Sequence, residues 1–561
     1  MIYTTQRKIC AIMLFLLATL SFGQTTQQDE LLNILKNEIN REMGYLKKAD
    51  IPVYLLSYRI DETEWYAINT SFGVLTSSRW ESKERYLTVQ VRVGDKNLDN
   101  FHELRDDSGP YSATIPISLD NNTKAIASSL WSATEEAYKN AILRYEKAKA
   151  SIAIKVESED KAPDYSEAAS VQYYEPLINI SDLNFNETEW KARLKSYSRE
   201  FVDIKDILNG TSTLWLEISR KYYVNSEGTS IVQNSTSCRV DHYAMVLASD
   251  GMELPLFQSY FAHTPAGLPD NNTMSQDAKK LAQTLVAIKT APIVEPYAGP
   301  AILSSDAAGV FFHEIFGHRV EGQRMKKESD AQIFKKKIGE MVLHKDFSVI
   351  FDPTIAYYKN NPLNGSYKYD DEGVKAEKII VIDKGVLKDF LMTRTPIDNF
   401  PKSNGHARAQ AGEQPVSRQS NLIVETEKPY TDAQLREMLI AEVKKQNKEY
   451  GFLFAKVQGG FTLTERFIPN SFNIMPLEVY RIYADGRPDE LVRGVDLIGT
   501  PLAMFSQVEA AGDTHGNFAG TCGAESGWVP VGCSSPALFV KQIEMQKKEK
   551  EQNLPPIIER P

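Results

Sequence analysis

Cysteine is scarce in this chain, which has 4 in 561 residues. One of them, Cys10, lies in an apolar N-terminal run, so a framework of several disulfides is excluded as the basis of the fold. A basic excess is also absent, because 64 Lys and Arg stand against 74 Asp and Glu, for a formal net charge of −10. No nucleic acid partner is expected, since a polyanion needs a positive field.

Long hydrophobic runs are absent too. After the first 23 residues, no stretch approaches the ~20 uninterrupted apolar residues that a membrane-spanning helix needs, so no stable membrane span is expected. The sequence also offers no Ser/His/Asp order and no reactive-cysteine signature. Nucleophilic catalysis by a serine or cysteine therefore has no candidate residues.

The N-terminus has the features of a secretory signal. Arg7 and Lys8 precede an apolar run over residues 9–20, and small residues follow just before Gln24. The apolar run is too short for a confident membrane span. It predicts a cleaved signal peptide over residues 1–23 and an exported protein, periplasmic or extracellular.

The length predicts two large domains, because a single core rarely grows beyond about 250–300 residues. Three prolines and Gly299 fall in the run 292–300, which marks a boundary. We expect an N-terminal α/β domain over 24–290, a second domain over 291–545, and a charged, disordered tail over 546–561.

Periodicity in the first half alternates between helix and strand. Helices are predicted over 29–48, 132–150 with Ser132 as N-cap, 187–209 and 275–289; strands over 53–60, 65–70, 86–93, 213–224, 229–240 and 242–249; and a charged loop or linker over 157–170.

The second half has a different pattern of predicted elements. Apart from one apolar helix near residue 313 and another over 432–446, short alternating segments with turn signals dominate it. They are predicted at 378–383, 386–393, 421–426, 460–467, 478–483 and 490–496. An α+β fold follows, in which a mainly antiparallel β half carries one metal-binding helix.

That helix contains the most informative residues of the chain. His313, Glu314 and His318 lie within six residues, after an apolar lead-in over 307–312. Neutral imidazoles are good zinc ligands, and a glutamate beside them can take a proton from a metal-bound water. The segment therefore predicts a hydrolytic metal site.

The spacing of the two histidines carries a structural prediction. In a regular helix, side chains five residues apart point about 140° away from each other, whereas side chains four apart differ by about 40°. His313 and His318 can share a metal only if the helix is overwound or bulged between them. Gly317 is the position where a π-type bulge would cause the least side-chain clash.

Residues 313–322 resemble the helix motif of the TldD/PmbA family of zinc metalloproteases, and further family landmarks follow in the same order. These are Asp370-Asp371-Glu372-Gly373, a hairpin around Asp383-Lys384-Gly385, Ser403-Asn404-Gly405, Arg418 with Ser420-Asn421, Gly459-Gly460, Leu497-Ile498-Gly499, Cys522-Gly523 and Val529-Pro530-Val531-Gly532. The resemblance covers about residues 290–545 and is much weaker before them.

The resemblance implies a zinc ion held by His313, His318 and Cys522, with Glu314 as the catalytic base. It also implies unstructured peptides as substrates, pairing with a strand edge near the zinc. The family forms dimers, often of a motif-bearing catalytic subunit with a related subunit that lacks the motif. This chain carries the motif, so we expect the catalytic type, as a homodimer or a heterodimer.

Several alternatives remain open at the level of sequence. His515 and Cys533 are reserve ligands, and Cys533 could form a disulfide with Cys238 or with Cys522. The zinc could also be structural, closed by His515 or His406 as a fourth ligand, in a non-catalytic peptide-binding or maturation factor.

Overall fold

In a computed structural model of the protein, residues 29–104, 109–154, 161–466, 471–548 and 558 are described. Their strands form a seven-stranded sheet in the first half of the chain, a twelve-stranded sheet in the second, and two small two-stranded sheets. The α+β class with two halves is confirmed. The predicted signal peptide and most of the predicted tail lie outside the described residues.

Within the described residues, the first half has four α-helices and seven strands. The helices are α1 (Glu30–Leu46), α2 (Thr123–Ile154), α3 (Glu187–Arg199) and α4 (Asn271–Thr290). The strands are β1 (Val53–Ser71), β2 (Val74–Val93), β3 (Ile115–Pro116), β4 (Gln172–Tyr174), β5 (Ile207–Asn225), β6 (Ser230–Leu247) and β7 (Glu253–Ala262). They lie in the order β3-β2-β1-β5-β6-β4, with β7 paired to β6.

Strand alternation buries one face of this sheet under the helices. In β5, Leu214, Leu216 and Ile218 are buried in a cluster with side chains of α3 and α4, while Trp215 between them is 45% exposed. Period-two alternation of this kind is what a sheet covered on one side requires. Helix α1 begins at a sequence-encoded cap, since the Asp29 carboxylate accepts a hydrogen bond from the Leu32 amide.

The second half is richer in strands. Its helices are α5 (Ser305–Ile315), α6 (Asp432–Lys445) and α7 (Pro501–Phe505). Its strands are β8 (Tyr297–Leu303), β9 (Phe347–Phe351), β10 (Tyr357–Tyr358), β11 (Asn361–Pro362), β12 (Ile379–Asp383), β13 (Val386–Leu387), β14 (Ala407–Arg408), β15 (Val416–Ser417), β16 (Asn421–Thr426), β17 (Pro429–Tyr430), β18 (Tyr450–Thr462), β19 (Phe472–Tyr483), β20 (Glu490–Val492), β21 (Val495–Gly499), β22 (Val508–Ala524) and β23 (Gly527–Lys547).

The large sheet closes on itself around the motif helix. Strand β23 pairs with β21, which pairs with β19, then β18, then β8, and β8 pairs again with β23. Helix α5 packs against β18, β22 and β23. Its side chains Phe311, Phe312 and Ile315, with Phe316 just beyond, are fully buried in the main core of this half, so the helix cannot shift without disturbing the core.

Polar contacts join the two halves. Lys221 of β5 donates to the Asp371 carboxylate, and Arg239 Nη1 of β6 donates to the Ala519 carbonyl of β22 at 3.2 Å. The second contact ties the sheet of the first half to the strand that carries Cys522.

The described part of the predicted linker, residues 161–170, runs along the boundary between the halves. Tyr165 is buried there between two guanidinium groups, with Arg92 at 3.8 Å and Arg394 at 4.1 Å from its ring centroid. Lys326, which follows the motif segment, donates to the Pro163 carbonyl at 2.7 Å. Over residues 161–170 the linker is therefore an ordered segment that forms neither helix nor strand.

Several predicted element boundaries are wrong. Ser132 does not cap a helix, because α2 already begins at Thr123. The two strands predicted over 53–60 and 65–70 are one continuous strand, and so are those over 229–240 and 242–249. Both long strands pair with neighbours along most of their length. This pairing keeps the chain extended at positions where polar residues interrupt the local apolar pattern. Strand β23 extends two residues past the predicted domain end at 545.

Among the described helices, none combines the length and apolar character needed to cross a membrane.

Candidate metal centre

Three side chains that could bind a metal converge at the end of helix α5. His313 lies in the last turn of α5, His318 in the following 3₁₀ turn, and Cys522 on β22. One candidate ligand atom from each lies within 4.8 Å of the other two. The Cys522 Sγ is 3.3 Å from His318 Nε2. The three predicted ligands are therefore brought together, and all three are buried.

The chain resolves the five-residue spacing by ending the helix between the two histidines. Helix α5 stops at Ile315, Phe316 has φ −124° and ψ −51°, and Gly317–Val320 forms a 3₁₀ turn. Because a 3₁₀ turn is overwound relative to an α-helix, His318 rotates back towards His313, and the two rings meet edge to face with centroids 5.0 Å apart. The predicted π-type bulge is wrong, and the overwound alternative is correct.

Gly317 has no room for a side chain. A Cβ placed on it would lie 1.9 Å from Oε1 of Gln419, whose side chain is buried against the turn. The Gln419 Nε2 lies 3.5 Å from His313 Nε2. A side chain at this position would have to displace the Gln419 amide, which lies close to the first histidine.

The end of the motif helix is capped by a buried arginine. Arg319 Nη1 donates to the Glu314 carbonyl at 2.5 Å and to the Ile315 carbonyl at 3.3 Å. These carbonyls belong to the last turn of α5, where intrahelical partners run out. Burial lowers the pKa of Arg319 to about 9, although the Glu314 carboxylate opposes the shift.

Glu314, the predicted base, is 6% exposed. Its side chain packs on the backbone of β18 at Gly460, where an added Cβ would be 2.7 Å from Glu314 Cγ. Gly460 therefore marks a close approach of the strand to Glu314.

A carboxylate orients the second histidine. Glu321 Oε2 accepts from His318 Nδ1 at 3.3 Å and from Arg324 Nε at 2.9 Å. With Nδ1–H engaged by the carboxylate, His318 Nε2 is the nitrogen that faces Cys522. Glu321 is fully buried; burial raises the pKa of its carboxyl, but His318 and Arg324 lower that pKa by more.

The Cys522 thiol lies in an environment that favours the thiolate. Burial alone would raise its pKa, but the imidazoles of His318 and His313 bring the pKa well below the ordinary value. The other two described cysteines behave in the opposite way, because burial without a cationic partner of comparable effect raises the pKa of Cys238 to about 12 and that of Cys533 even further. Of the three, Cys522 is the one suited to bind a metal.

The reserve residues lie elsewhere. His406 makes hydrogen bonds with Asn404 and, through Nε2 at 3.2 Å, with Ser420, and His515 lies 3.3 Å from the Ser534 hydroxyl. Neither joins the cluster formed among the described residues. Cys238, Cys522 and Cys533 are all free thiols, so neither of the considered disulfides is present.

The donors fit a zinc-type metal. Two imidazole nitrogens and one thiolate sulfur are ligands that Zn²⁺ prefers, and three protein ligands leave a fourth position open. In a tetrahedral site with ordinary bond lengths, a sulfur and a nitrogen ligand are roughly 3.6 Å apart, close to the 3.3 Å between Cys522 Sγ and His318 Nε2.

Two residues of the site were not predicted. Glu321 could have been found, since a carboxylate three residues after a helical ligand lies on the same face. Gln419 could not, because its contact with Gly317 joins segments that are distant in sequence.

The fold and the cluster together define a metallopeptidase-family domain in the second half of the chain. Residues 297–547 match the PmbA/TldA metallopeptidase C-terminal domain. The match supports the TldD/PmbA resemblance that the motifs of this region predict.

Proteins of similar sequence carry related names. A metalloprotease of Archaeoglobus fulgidus is 28% identical over 246 residues, which cover 43% of this chain and 51% of that protein. A metalloprotease of Methanothermobacter thermautotrophicus is 27% identical, over 63% of this chain and 72% of its own. A zinc metalloprotease TldD homolog of Saccharolobus solfataricus is 23% identical, over 63% and 71%. The match thus spans about half of the first relative.

Similar folds have been solved. TldE from Thermococcus kodakarensis superposes with a TM-score of 0.60 at 12% identity, over 91% of this chain and 100% of its own. A Thermotoga maritima protein described as a candidate modulator of a DNA gyrase gives a TM-score of 0.58 at 15% identity, over 91% and 99%. At this identity the likeness concerns the fold, and it extends over both halves.

Proposed function

We propose that this protein is a zinc-dependent peptidase that hydrolyses unstructured peptides with a metal-activated water. The observation that carries the proposal is the buried cluster of His313, His318 and Cys522 with Glu314 next to the first of them. The metalloprotease names of the relatives support a metal-dependent protease more generally.

His313, His318 and Cys522 would hold the zinc. A bound zinc ion would supply Lewis acidity and lower the pKa of its water towards ~7. Glu314 would take one proton from that water at its carboxylate as the water oxygen bonds to the peptide carbonyl carbon, and would pass the proton to the leaving amine as the C–N bond breaks. The proton is thus transferred from water to amine, and Glu314 ends each cycle as a carboxylate.

Burial of the site supports extended substrates. The three ligands are 3–6% exposed and Glu314 is 6% exposed, so the surface of a folded protein could not reach them. A flexible peptide could thread to the site and pair its backbone with a strand edge nearby.

A cluster of three protein ligands favours a catalytic over a structural metal. A structural zinc site is normally closed by a fourth protein ligand. Among the residues that the structure describes, His406 and His515 are hydrogen-bonded outside the cluster.

We further propose that the chain acts as an exported, motif-bearing subunit that pairs with itself or with a related chain. The similarity of its fold to TldE supports an assembly of TldD/TldE type. The N-terminal run of residues 9–20 after Arg7 and Lys8 supports export.

Replacing Glu314 with Gln tests the function directly. The amide keeps the shape of the side chain and removes the proton acceptor, so Glu314→Gln should keep one zinc per chain and lose peptide cleavage by at least about a hundredfold. Metal analysis and mass spectrometry of a mixed peptide digest would measure both quantities. Glu425→Gln, a partly buried position that accepts from Tyr358, is the matched control and should cleave normally. Full activity in Glu314→Gln would refute the assignment of the base.

A further inference from the structure

Arg418 is a fully buried arginine that contacts one of the candidate ligands. Its Nη2 donates to the Cys522 carbonyl at 2.6 Å and lies 3.3 Å from Cys522 Sγ. Its Nη1 donates to the Ser526 hydroxyl at 2.8 Å and to the Gly527 carbonyl at 2.9 Å. The planar guanidinium thus holds the strand of Cys522 and the tip of the β22–β23 hairpin at the same time.

The same guanidinium also faces the carboxylate that orients His318. Arg418 Nε lies 3.6 Å from Glu321 Oε1, while Glu321 Oε2 accepts from His318 Nδ1. A continuous chain of charged groups therefore runs from the second histidine through Glu321 and Arg418 to the sulfur of Cys522. Charged groups that are desolvated together interact more strongly than they would in water.

A neighbouring arginine provides a comparison. Arg408 is also buried, and its Nη1 donates to the carbonyls of Gln419 and Pro530 at 2.7 and 2.6 Å. Like Arg418 it ties β23 to the body of the domain, but these two hydrogen bonds go to backbone carbonyls rather than to ligand atoms. Both arginines therefore support the hairpin, but only Arg418 of the two donates a hydrogen bond to a candidate ligand residue.

We infer that Arg418 is a positioning residue of the metal centre, which fixes the Cys522 thiolate opposite His318 and offsets part of the sulfur's negative charge. The inference rests on the proposed function, because it takes Cys522 as a ligand. A thiolate lowers the Lewis acidity of a metal that it binds. The positive charge at 3.3 Å draws electron density from the sulfur and so restores part of that acidity.

Cobalt loading tests the inference without relying on peptide cleavage. Co²⁺ bound by a thiolate gives a sulfur-to-metal charge-transfer band, whose energy falls as the sulfur becomes more electron-rich. Arg418→Lys keeps a charge and loses the forked contacts, so it should bind Co²⁺ about 10–100-fold more weakly and move the band to longer wavelength. Arg408→Lys should change the dissociation constant less than about threefold and leave the band in place. An unchanged affinity and band in Arg418→Lys, or equal changes in both variants, would overturn the inference.

Glu321→Gln covers the case in which Arg418→Lys does not fold. It removes the charge that links His318 to Arg418, so it should also weaken Co²⁺ binding about tenfold or more and shift the band. Wild-type behaviour of Glu321→Gln would refute the coupling. If the wild-type protein itself binds Co²⁺ without a thiolate band, the ligand assignment in the proposed function fails instead, and the two failures are thereby distinguished.

Discussion

At the scale of single residues, the metal centre depends on which thiol carries a negative charge. Cys522 lies beside two imidazoles and Arg418, whereas Cys533 is buried one strand away without an ionic partner that lowers its pKa. The contrast is one of environment, because all three described cysteines are buried. Position relative to cationic groups therefore decides which of them can act as a soft anionic ligand.

Serine substitution of Cys522 and of Cys533 should affect zinc binding differently. Cys522→Ser replaces a charged sulfur with a neutral hydroxyl and should lower zinc affinity at least about a hundredfold. Cys533→Ser should keep about one zinc per chain, since Cys533 lies outside the cluster. Zinc content after dialysis against a weak chelator measures both. Loss of zinc in Cys533→Ser with retention in Cys522→Ser would reverse the assignment.

The Cys533→Ser control carries its own structural effect. Cys533 is 1% exposed in the core beside Gly309 of α5, and a buried hydroxyl without a partner costs roughly 1–3 kcal/mol. Its unfolding temperature should therefore fall while its zinc content does not, and thermal unfolding should be measured on the same samples.

At the scale of elements, the junction of α5 with its 3₁₀ turn sets the ligand geometry. Gly309 and Gly317 lie in the same segment but in different surroundings. A Cβ at Gly309 would meet Cys533 Sγ at 3.5 Å, an ordinary contact, whereas a Cβ at Gly317 would lie 1.9 Å from Gln419 Oε1. The helix interior can therefore accept a methyl group in place, whereas in the turn a methyl group would have to displace Gln419.

Alanine at these two glycines should have opposite effects. Gly309→Ala removes backbone freedom from the unfolded chain and should stabilise the protein by about 0.5–1 kcal/mol. Gly317→Ala should push Gln419 or the turn away and weaken zinc binding by about tenfold or more. Urea unfolding and zinc titration measure the two effects. Normal zinc affinity in Gly317→Ala would show that the turn tolerates displacement.

Glu525 joins the tip of the β22–β23 hairpin to the segment after the motif. It accepts from Arg324 Nη2 at 2.8 Å and from Gln323 Nε2 at 3.0 Å. Burial opposes ionisation, but Arg324 and Lys327 lower the pKa of Glu525 to about 2. Because the folded pKa lies below the unfolded value of about 4.3, the carboxylate stabilises the fold above pH ~4.3, and this stability is lost as the pH falls towards 2.

The lowered pKa of Glu525 predicts how the stability difference between the wild type and Glu525→Gln depends on pH. In the metal-free protein, the wild type should be more stable than Glu525→Gln by roughly 1–3 kcal/mol at pH 6. The difference should shrink steadily between pH 4.3 and 2. Urea unfolding of both proteins across that range measures it, and a difference that is independent of pH would show that Glu525 contributes through packing rather than charge.

At the scale of the whole molecule, the two sheets are joined by buried charge rather than by apolar surface alone. Asp371, which lies in a family landmark, accepts from Lys221 of the first half and from the Ala409 amide of the second. The landmark thus has a structural role at the boundary between the halves.

The predicted signal peptide can be tested on the whole chain. If residues 1–23 are a signal peptide, the mature protein should begin near Gln24 and be recovered outside the cytoplasm. N-terminal sequencing of the protein from fractionated cells of its source measures both properties. A cytoplasmic protein that retains Met1 would contradict the prediction.

The sequence was sufficient for the features that depend on local chemistry. The α+β class, the helix predicted over 29–48 and the convergence of His313, His318 and Cys522 follow from periodicity, side-chain type and the resemblance of the motifs. The closure of the large sheet and the role of Gln419 do not, because they arise from pairings between distant strands. The end of α5 at Ile315 lies between these cases, since the spacing required a break and left its form open.

The position of Cys522 determines when the metal centre can form. His318 and Cys522 are separated by 204 residues, and β22 is the last but one of the described strands, held in place by β23. During synthesis the two histidines emerge long before their third partner, so an incomplete chain offers a two-histidine site of low affinity. If His313, His318 and Cys522 hold the metal as proposed, we expect metal acquisition to follow the pairing of β22 with β23. For an exported protein, the metal would then have to come from the compartment in which the finished chain folds.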